Sequence, residues 1–235
     1  MVYSFKKMVS CFLLLTLYFL LFTGCGRGTG VSVDVIIGDT GQIGSSDPPY
    51  FSQVVFANGL RLNLVTDAEL SNTYPTPGGN PFGSSHLRYY QRVGYFINLR
   101  QARVSERISE NFSLSEFVNP TLQRGGTRAY VDAQIAKHVQ LIRSGLGRAL
   151  VLSSAFRSPE HNRSVGGATF SRHIYGDGVD VDVDQSQSDV NVRAQEIFNE
   201  ALDVGVDFVL PLAETSVTVN GVQRASWVHL DDRGF

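Results

Sequence analysis

Ser153–Asp184, SSAFRSPEHNRSVGGATFSRHIYGDGVDVDVD, is the stretch that decides the fold. Arg157 follows Ala149–Leu152, a short apolar run that reads as a buried strand. His173 and Asp180 stand seven residues apart across a turn carrying Gly176 and Gly178. Val179, Val181 and Val183 then alternate with Asp180, Asp182 and Asp184. In an extended chain that alternation puts valines on one face and carboxylates on the other. A histidine on the loop entering such a strand can converge with Asp180 on one cation, because imidazole nitrogen and carboxylate oxygen are both good zinc ligands. Catalytic zinc takes three protein ligands and keeps one position open for water. A third ligand is on offer near the C-terminus, in Trp227-Val228-His229-Leu230-Asp231.

The neighbouring segments frame this stretch. Upstream, Val131, Ile135, Val139, Ile142 and Leu146 recur at spacings of three and four, so an amphipathic helix is predicted, closed by Gly145 or Gly147. His138 lies off its apolar face and reads as a surface residue. Ser158-Pro159 reads as the cap and first residue of a short helix. Downstream, Asp189 opens a second helix whose apolar face is Val190, Ala194, Ile197, Ala201 and Val204, with Gly205 at its end. Phe208–Leu212 reads as a strand, and Thr215–Val219 and Val222–Leu230 as a hairpin turned by Asn220-Gly221. The predicted class is α+β: a small antiparallel sheet with helices on one side and a cation site on the sheet face.

The remaining chain is of a different character. Lys6 and Lys7 precede an apolar run from Cys11 to Phe22, too short for a membrane span, followed by Thr23-Gly24-Cys25. Residues 1–24 therefore read as a secretory signal. The ending resembles a bacterial lipobox, with Phe22 where Leu is usual, and implies that Cys25 is lipidated. The protein is expected to be exported and lipid-anchored in the cell envelope, at the periplasmic face of the outer membrane; Gly26 supplies no inner-membrane retention signal of the Asp type. Residues 25–50, rich in Gly, Ser, Thr and Asp, read as a tether. Residues 51–108 read as a β-rich accessory region, with an Asn58-Gly59 hairpin and one or two strands in Leu87–Val104; its lone histidine, His86, reads as solvated. The net charge of −2 gives no reason to expect nucleic acid as a partner, and 43% hydrophobic against 18% charged residues is the balance of a globular protein.

Ser154-Ala-Phe-Arg157-Ser158-Pro159-Glu-His-Asn162, Gly166-Gly167-Ala168, Ser171-Arg-His173-Ile-Tyr-Gly176-Asp-Gly178-Val-Asp180 and Val228-His229-Leu230-Asp231 follow one another in the order seen in a known family. Residues 109–235 resemble the zinc D-Ala-D-Ala carboxypeptidases and murein endopeptidases of the M15 peptidase family, with Gly178 where Ala is usual. The resemblance implies a zinc peptidase that hydrolyses peptidoglycan stem-peptide bonds next to D-amino acids. It implies His173, Asp180 and His229 as zinc ligands, and Arg157 as the residue that meets a substrate carboxylate or the scissile carbonyl. Ser171, Asn162 and His161 would line the substrate.

Many relatives carry an acid three residues before the third ligand, where this chain has Ser226. The hairpin register proposes a substitute. If Val219 pairs with Val222, Glu214 falls opposite Trp227, diagonal to His229 and within reach as general base. Asp231 is expected to orient the site, since a ligating histidine needs an acceptor for its other nitrogen. Asp182 is a further candidate base. Ser226 also supports an alternative, a catalytically silent zinc-containing lipoprotein that binds peptidoglycan.

Overall fold

Asn58-Gly59 turns the chain between β1 (Gln53–Val55) and β2 (Arg61–Thr66), with Gly59 at φ 87° and the Phe56 amide donating to the Leu60 carbonyl at 2.9 Å. The computed structural model describes residues 53–118 and 126–235, all within one unit, Pro48–Phe235. The signal segment, Cys25 and the tether lie outside the described residues.

After β2 comes α1 (Ala68–Ser71), capped by Asp67, which accepts from the Leu70 amide at 2.9 Å. Ser84–Tyr90 is a 3-10 helix, not strand, and β3 (Tyr95–Asn98) is the strand that Leu87–Val104 supplies. Ser113 and Glu116 form a reciprocal capping box at the start of α2 (Leu114–Phe117). β4 (Arg128–Ala129) completes a four-stranded antiparallel sheet ordered β1-β2-β3-β4.

α3 spans Ala133–Leu146. Of the two glycines at its end, Gly147 is the cap, in the left-handed region at φ 61°. Gly145 stays helical where a Cβ would collide with the Glu200 carboxylate. β5 (Leu152–Ser154) leads through Arg157 to α4 (Pro159–Ser164), whose cap Ser158 accepts from the His161 amide at 3.2 Å. α5 (Arg172–Tyr175) is a single turn carrying His173. β6 (Gly178–Asp182), α6 (Val190–Asp203), β7 (Phe208–Val209), β8 (Ser216–Val219), β9 (Val222–Ala225) and β10 (Trp227–Asp231) follow.

The second four-stranded sheet runs β5-β6-β10-β7, antiparallel throughout. The valine periodicity operates as predicted: Val179, Val181 and Val183 of the β6 segment and Val228 and Leu230 of β10 are buried, with Ala194, Ile197 and Ala201 of α6 and Ile135, Val139 and Ile142 of α3 in the same cluster. Val54, Phe56, Leu62 and Ile97 belong to that cluster too, so residues 53–108 share a core with the rest of the unit. The architecture is mixed helix and strand built on small antiparallel sheets.

Two expectations are corrected here. The strand expected over Val222–Leu230 breaks at Ser226, whose amide donates to the Thr215 carbonyl at 3.0 Å; β8 and β9 form a separate two-stranded hairpin while β10 joins β6 and β7. His138 is buried, not superficial. Its Nδ1 lies 2.9 Å from Asp232 Oδ1 and its Nε2 3.0 Å from Gln134 Nε2, which ties α3 to the end of β10.

Gly176 closes α5 at φ 76°, and a Cβ there would meet the Tyr130 carbonyl oxygen at 2.5 Å. Because both backbone conformation and space exclude a side chain, Gly176→Ala is expected to destabilise the chain by more than about 1 kcal/mol. Urea unfolding measures it, and an unchanged midpoint would show that the loop relaxes freely.

Candidate metal centre

Three side chains from separate elements meet on the face of the second sheet. His173 comes from α5, Asp180 from the middle of β6, and His229 from β10, directly opposite Asp180 in the ladder. One ligand atom from each lies within 4.8 Å of the others. His229 Nδ1 is 2.8 Å from Asp180 Oδ1, and His173 Nε2 is 3.2 Å from Asp180 Oδ2.

The turn that brings His173 and Asp180 together has its own lock. Arg172 is buried beside His173 and forks onto Asp177, with Nε donating to Oδ1 at 3.0 Å and Nη2 donating to Oδ2. Its Nη1 donates to the Tyr89 carbonyl at 2.7 Å, and its guanidinium carbon stands 4.5 Å from the centre of the Tyr175 ring. Gly178 is required below it, because a Cβ there would come within 2.9 Å of Arg172 Cβ.

Each histidine has one nitrogen occupied on the far side from Asp180. The Nδ1–H of His173 donates to the Ala155 carbonyl at 2.8 Å, which leaves Nε2 as the lone-pair atom turned to Asp180. His229 Nε2 faces Asp231 Oδ2 at 3.1 Å, so a proton there leaves Nδ1 as the ligand. These tautomers follow from the hydrogen-bond network. They also test the fit to a metal: two acceptor atoms, His173 Nε2 and Asp180 Oδ2, face each other at 3.2 Å, an arrangement a cation between them relieves. Two imidazoles and one carboxylate suit Zn²⁺.

Electrostatics agree with that reading. Burial holds the His173 imidazole below its ordinary range, so it is neutral. Burial also opposes charge on Asp180 and His229, but the imidazoles of His173 and His229 beside Asp180, and the two carboxylates beside His229, prevail. Asp180 is held well below the usual carboxylate range, and His229, bonded also to Asp231, is pushed up to about 9. Asp231 is fully buried, yet the hydrogen bonds from Arg233 and His229 keep it ionised.

A pH dependence follows. In the metal-free chain the His229 proton contributes stability that is fully present below pH 6.5 and is lost as pH rises through about 9. The expected loss is at most about 3 kcal/mol. Zinc must displace that proton, so its apparent affinity is expected to rise about tenfold per pH unit over the same window. Denaturant melts of the metal-free chain and chelator competition at pH 6.5, 7.5 and 8.5 measure both; flat curves would remove the proton from His229.

The other expected site residues fall into two groups. Arg157 is at the centre: its Nη2 donates to Asp180 Oδ2 at 2.9 Å and its Nε to Ser154 Oγ at 2.7 Å. Ser171 is the N-cap position of α5 and makes no side-chain capping bond. Asn162 is buried, and its Nδ2 donates to the Ala168 carbonyl at 2.9 Å, holding the Gly166-Gly167 loop. With Thr73, Arg163 and Thr169 it lines a cavity of about 200 Å³. His161 is half-buried on α4.

The position expected for Glu214 is corrected. The β8–β9 ladder ends at Ser216↔Ala225, and Leu212–Thr215 curls into a 3-10 turn with Glu214 exposed. The register that would set Glu214 opposite Trp227 does not continue that far, and Trp227 pairs with Asp182 instead. Asp182 is exposed and, two residues along β6, shares the face of Asp180. Sequence reasoning missed Arg233, whose two hydrogen bonds to Asp231 anchor the acceptor behind His229.

Residues 110–207 match the family model described as Peptidase M15. The matched stretch holds His173, Asp180 and Arg157 and ends before His229, which joins the group by its geometry and by the Val228–Asp231 motif. The match supports a metallopeptidase of that family. Neither the curated proteins nor the solved structures give a match to the chain.

Proposed function

We propose that this chain is a zinc peptidase of the cell wall that hydrolyses peptidoglycan stem-peptide bonds next to D-amino acids, as a D-Ala-D-Ala carboxypeptidase or an endopeptidase of cross-links. The observation that carries the reading is the His173–Asp180–His229 group, with the outer nitrogen of each histidine already engaged by Ala155 or Asp231. Zinc bound there would lower the pKa of water toward neutrality and polarise the scissile carbonyl.

The chain's own residues do the rest. Water adds to the carbonyl carbon, the C–N bond breaks, and one proton passes from the water to the departing amine. Asp182 is the carboxylate we assign to carry that proton, because it faces solvent on the ligand face of β6. Arg157, at the edge of the ligand group, presents a permanent positive charge to the oxygen on which negative charge develops. Trp227, 36% exposed and opposite Asp182, forms a wall for the peptide. The Lys6-Lys7, apolar-run and Cys25 pattern supports a lipid anchor that keeps the enzyme at the membrane facing the wall.

The test uses purified protein with isolated peptidoglycan and with a pentapeptide ending in D-Ala-D-Ala, with zinc or chelator, read by mass. Loss of one D-Ala identifies a carboxypeptidase, and loss of cross-linked dimers alone an endopeptidase. Asp182→Asn is expected to lower turnover about 10²-fold, and Glu214→Gln to leave it within about threefold. The reverse result would return the proton to Glu214. Zinc binding without chelator-sensitive product would favour the silent wall-binding lipoprotein that Ser226 suggests.

A further inference from the structure

Arg233-Gly234-Phe235 makes contacts that the reaction outlined above leaves unused. Arg233 Nε donates to Asp231 Oδ1 at 2.6 Å and Nη2 to Oδ2 at 2.5 Å. Asp231 is fully buried, and its Oδ2 also faces His229 Nε2 at 3.1 Å. On its other side the guanidinium carbon stands 3.7 Å from the centre of the Phe208 ring, 5.6 Å from Phe82 and 5.9 Å from Phe235. Phe235 packs in turn on His86 at 3.9 Å, Tyr89 at 5.2 Å and Phe82 at 5.3 Å between ring centres. Gly234 allows this: it lies at φ 79°, its amide donates to Asp207 Oδ2 at 2.6 Å, and any side chain would strike the Tyr89 ring. His86, expected to be solvated, is therefore half-buried against Phe235.

We propose that Arg233 is a positioning residue of the metal centre. Held over the rings of Phe82, Phe208 and Phe235, its fork fixes Asp231 as the acceptor of the His229 Nε2 proton and leaves Nδ1 turned to the metal. The argument is geometric. Asp231 has two oxygens in a buried place, and a planar fork making two bonds fixes both at once. Ring faces hold the guanidinium plane, and cation–π contact stabilises its charge where little water reaches it. Without Arg233 a buried carboxylate is left with the imidazole alone; nothing fixes the orientation of its two oxygens, and the acceptor that sets the His229 tautomer is lost. The Ser84–Tyr90 turn thus reaches His229 by four successive contacts, through Phe235, Arg233 and Asp231, although it lies outside the family-matched residues 110–207. That gives residues 51–108 a part in the chemistry, not only in the core.

The proposal rests on the zinc reading, and the experiment separates the two. Zinc affinity of the full chain and of Arg233→Gln is measured by chelator competition, with ¹⁵N–¹H spectra of the histidine rings in the zinc-loaded proteins. Arg233→Gln is expected to bind zinc about 10- to 100-fold more weakly, as when other partners behind a ligand are removed. It is also expected to lose the protected Nε2–H signal of His229. Asp231→Asn should weaken zinc to a similar degree, and the double variant should add little to either. Affinity within twofold of the unaltered chain, with the ring signal retained, would overturn the positioning role. If Arg233→Gln does not fold, Arg233→Lys carries the test, since it keeps the charge and loses the fork: at least fivefold weaker binding supports the role, and binding within twofold overturns it. An unaltered chain that binds no zinc would instead withdraw the functional reading itself.

Discussion

Replacing Asp180 with alanine is expected to abolish zinc retention and to bring peptide hydrolysis down to that of chelator-treated protein. The side chain of Asp180 meets every other member of the centre. Its Oδ1 meets His229 Nδ1 at 2.8 Å, and its Oδ2 meets His173 Nε2 at 3.2 Å and Arg157 Nη2 at 2.9 Å. Alanine removes a ligand and also leaves the charge of Arg157 in a partly buried place without its counter-ion and His229 with Asp231 alone. Removing one partner of such a pair costs about 3–5 kcal/mol, so the metal-free variant is expected to unfold at markedly lower urea. Zinc content after desalting and the unfolding midpoint measure the two effects separately. A variant that keeps one zinc per chain would take Asp180 out of the ligand set.

Arg157→Ala is expected to lower kcat by roughly 10²- to 10³-fold, the loss usual when one donor to a developing oxyanion is removed. Zinc retention should be nearly unchanged, because Arg157 supplies no ligand atom. Arg157→Lys is expected to recover little. The guanidinium serves two acceptors in different directions, Ser154 Oγ and Asp180 Oδ2, and an ammonium does not reproduce that fork. Steady-state kinetics separate the roles: a change in KM alone means that Arg157 holds a substrate carboxylate in ground and transition states alike. No change in either constant would reduce it to a structural ion pair.

Local periodicity made much of the second sheet legible before any coordinates. The valines of β6 pointed inward as their alternation requires, and the apolar stripes of α3 and α6 did the same at helical spacing. The two Asn-Gly turns were equally local. Asn220 at φ 51° and Gly221 at φ 78° adopt the paired positive angles that such a turn needs. The ligand group was legible because its motifs fall in order along the chain.

The failures share a cause, which is that the deciding partner is distant in sequence. His138 lies off the α3 stripe, and the carboxylate that engages it is Asp232, 94 residues away. The expected position of Glu214 extends a hairpin register beyond the point where Thr215 and Ser226 divert the chain. Nothing in a pairing rule shows where a ladder yields to a 3-10 turn. The rings around Arg233 come from Phe82, Phe208 and Phe235, three places that no window of sequence joins.

The opposition of His229 to Asp180 also orders events in time. The two ligands are 49 residues apart, with α6 and the β8–β9 hairpin between them. Of the three, an unfolded chain keeps only His173 and Asp180 near each other, and such a pair holds a metal weakly. The full set exists once β10 has docked on β6, and closing that long loop must come first. A metal held by this group would therefore capture a sheet already made and not nucleate it. Metal uptake during refolding should follow the slow step of strand docking, at a rate independent of zinc concentration once zinc is in excess.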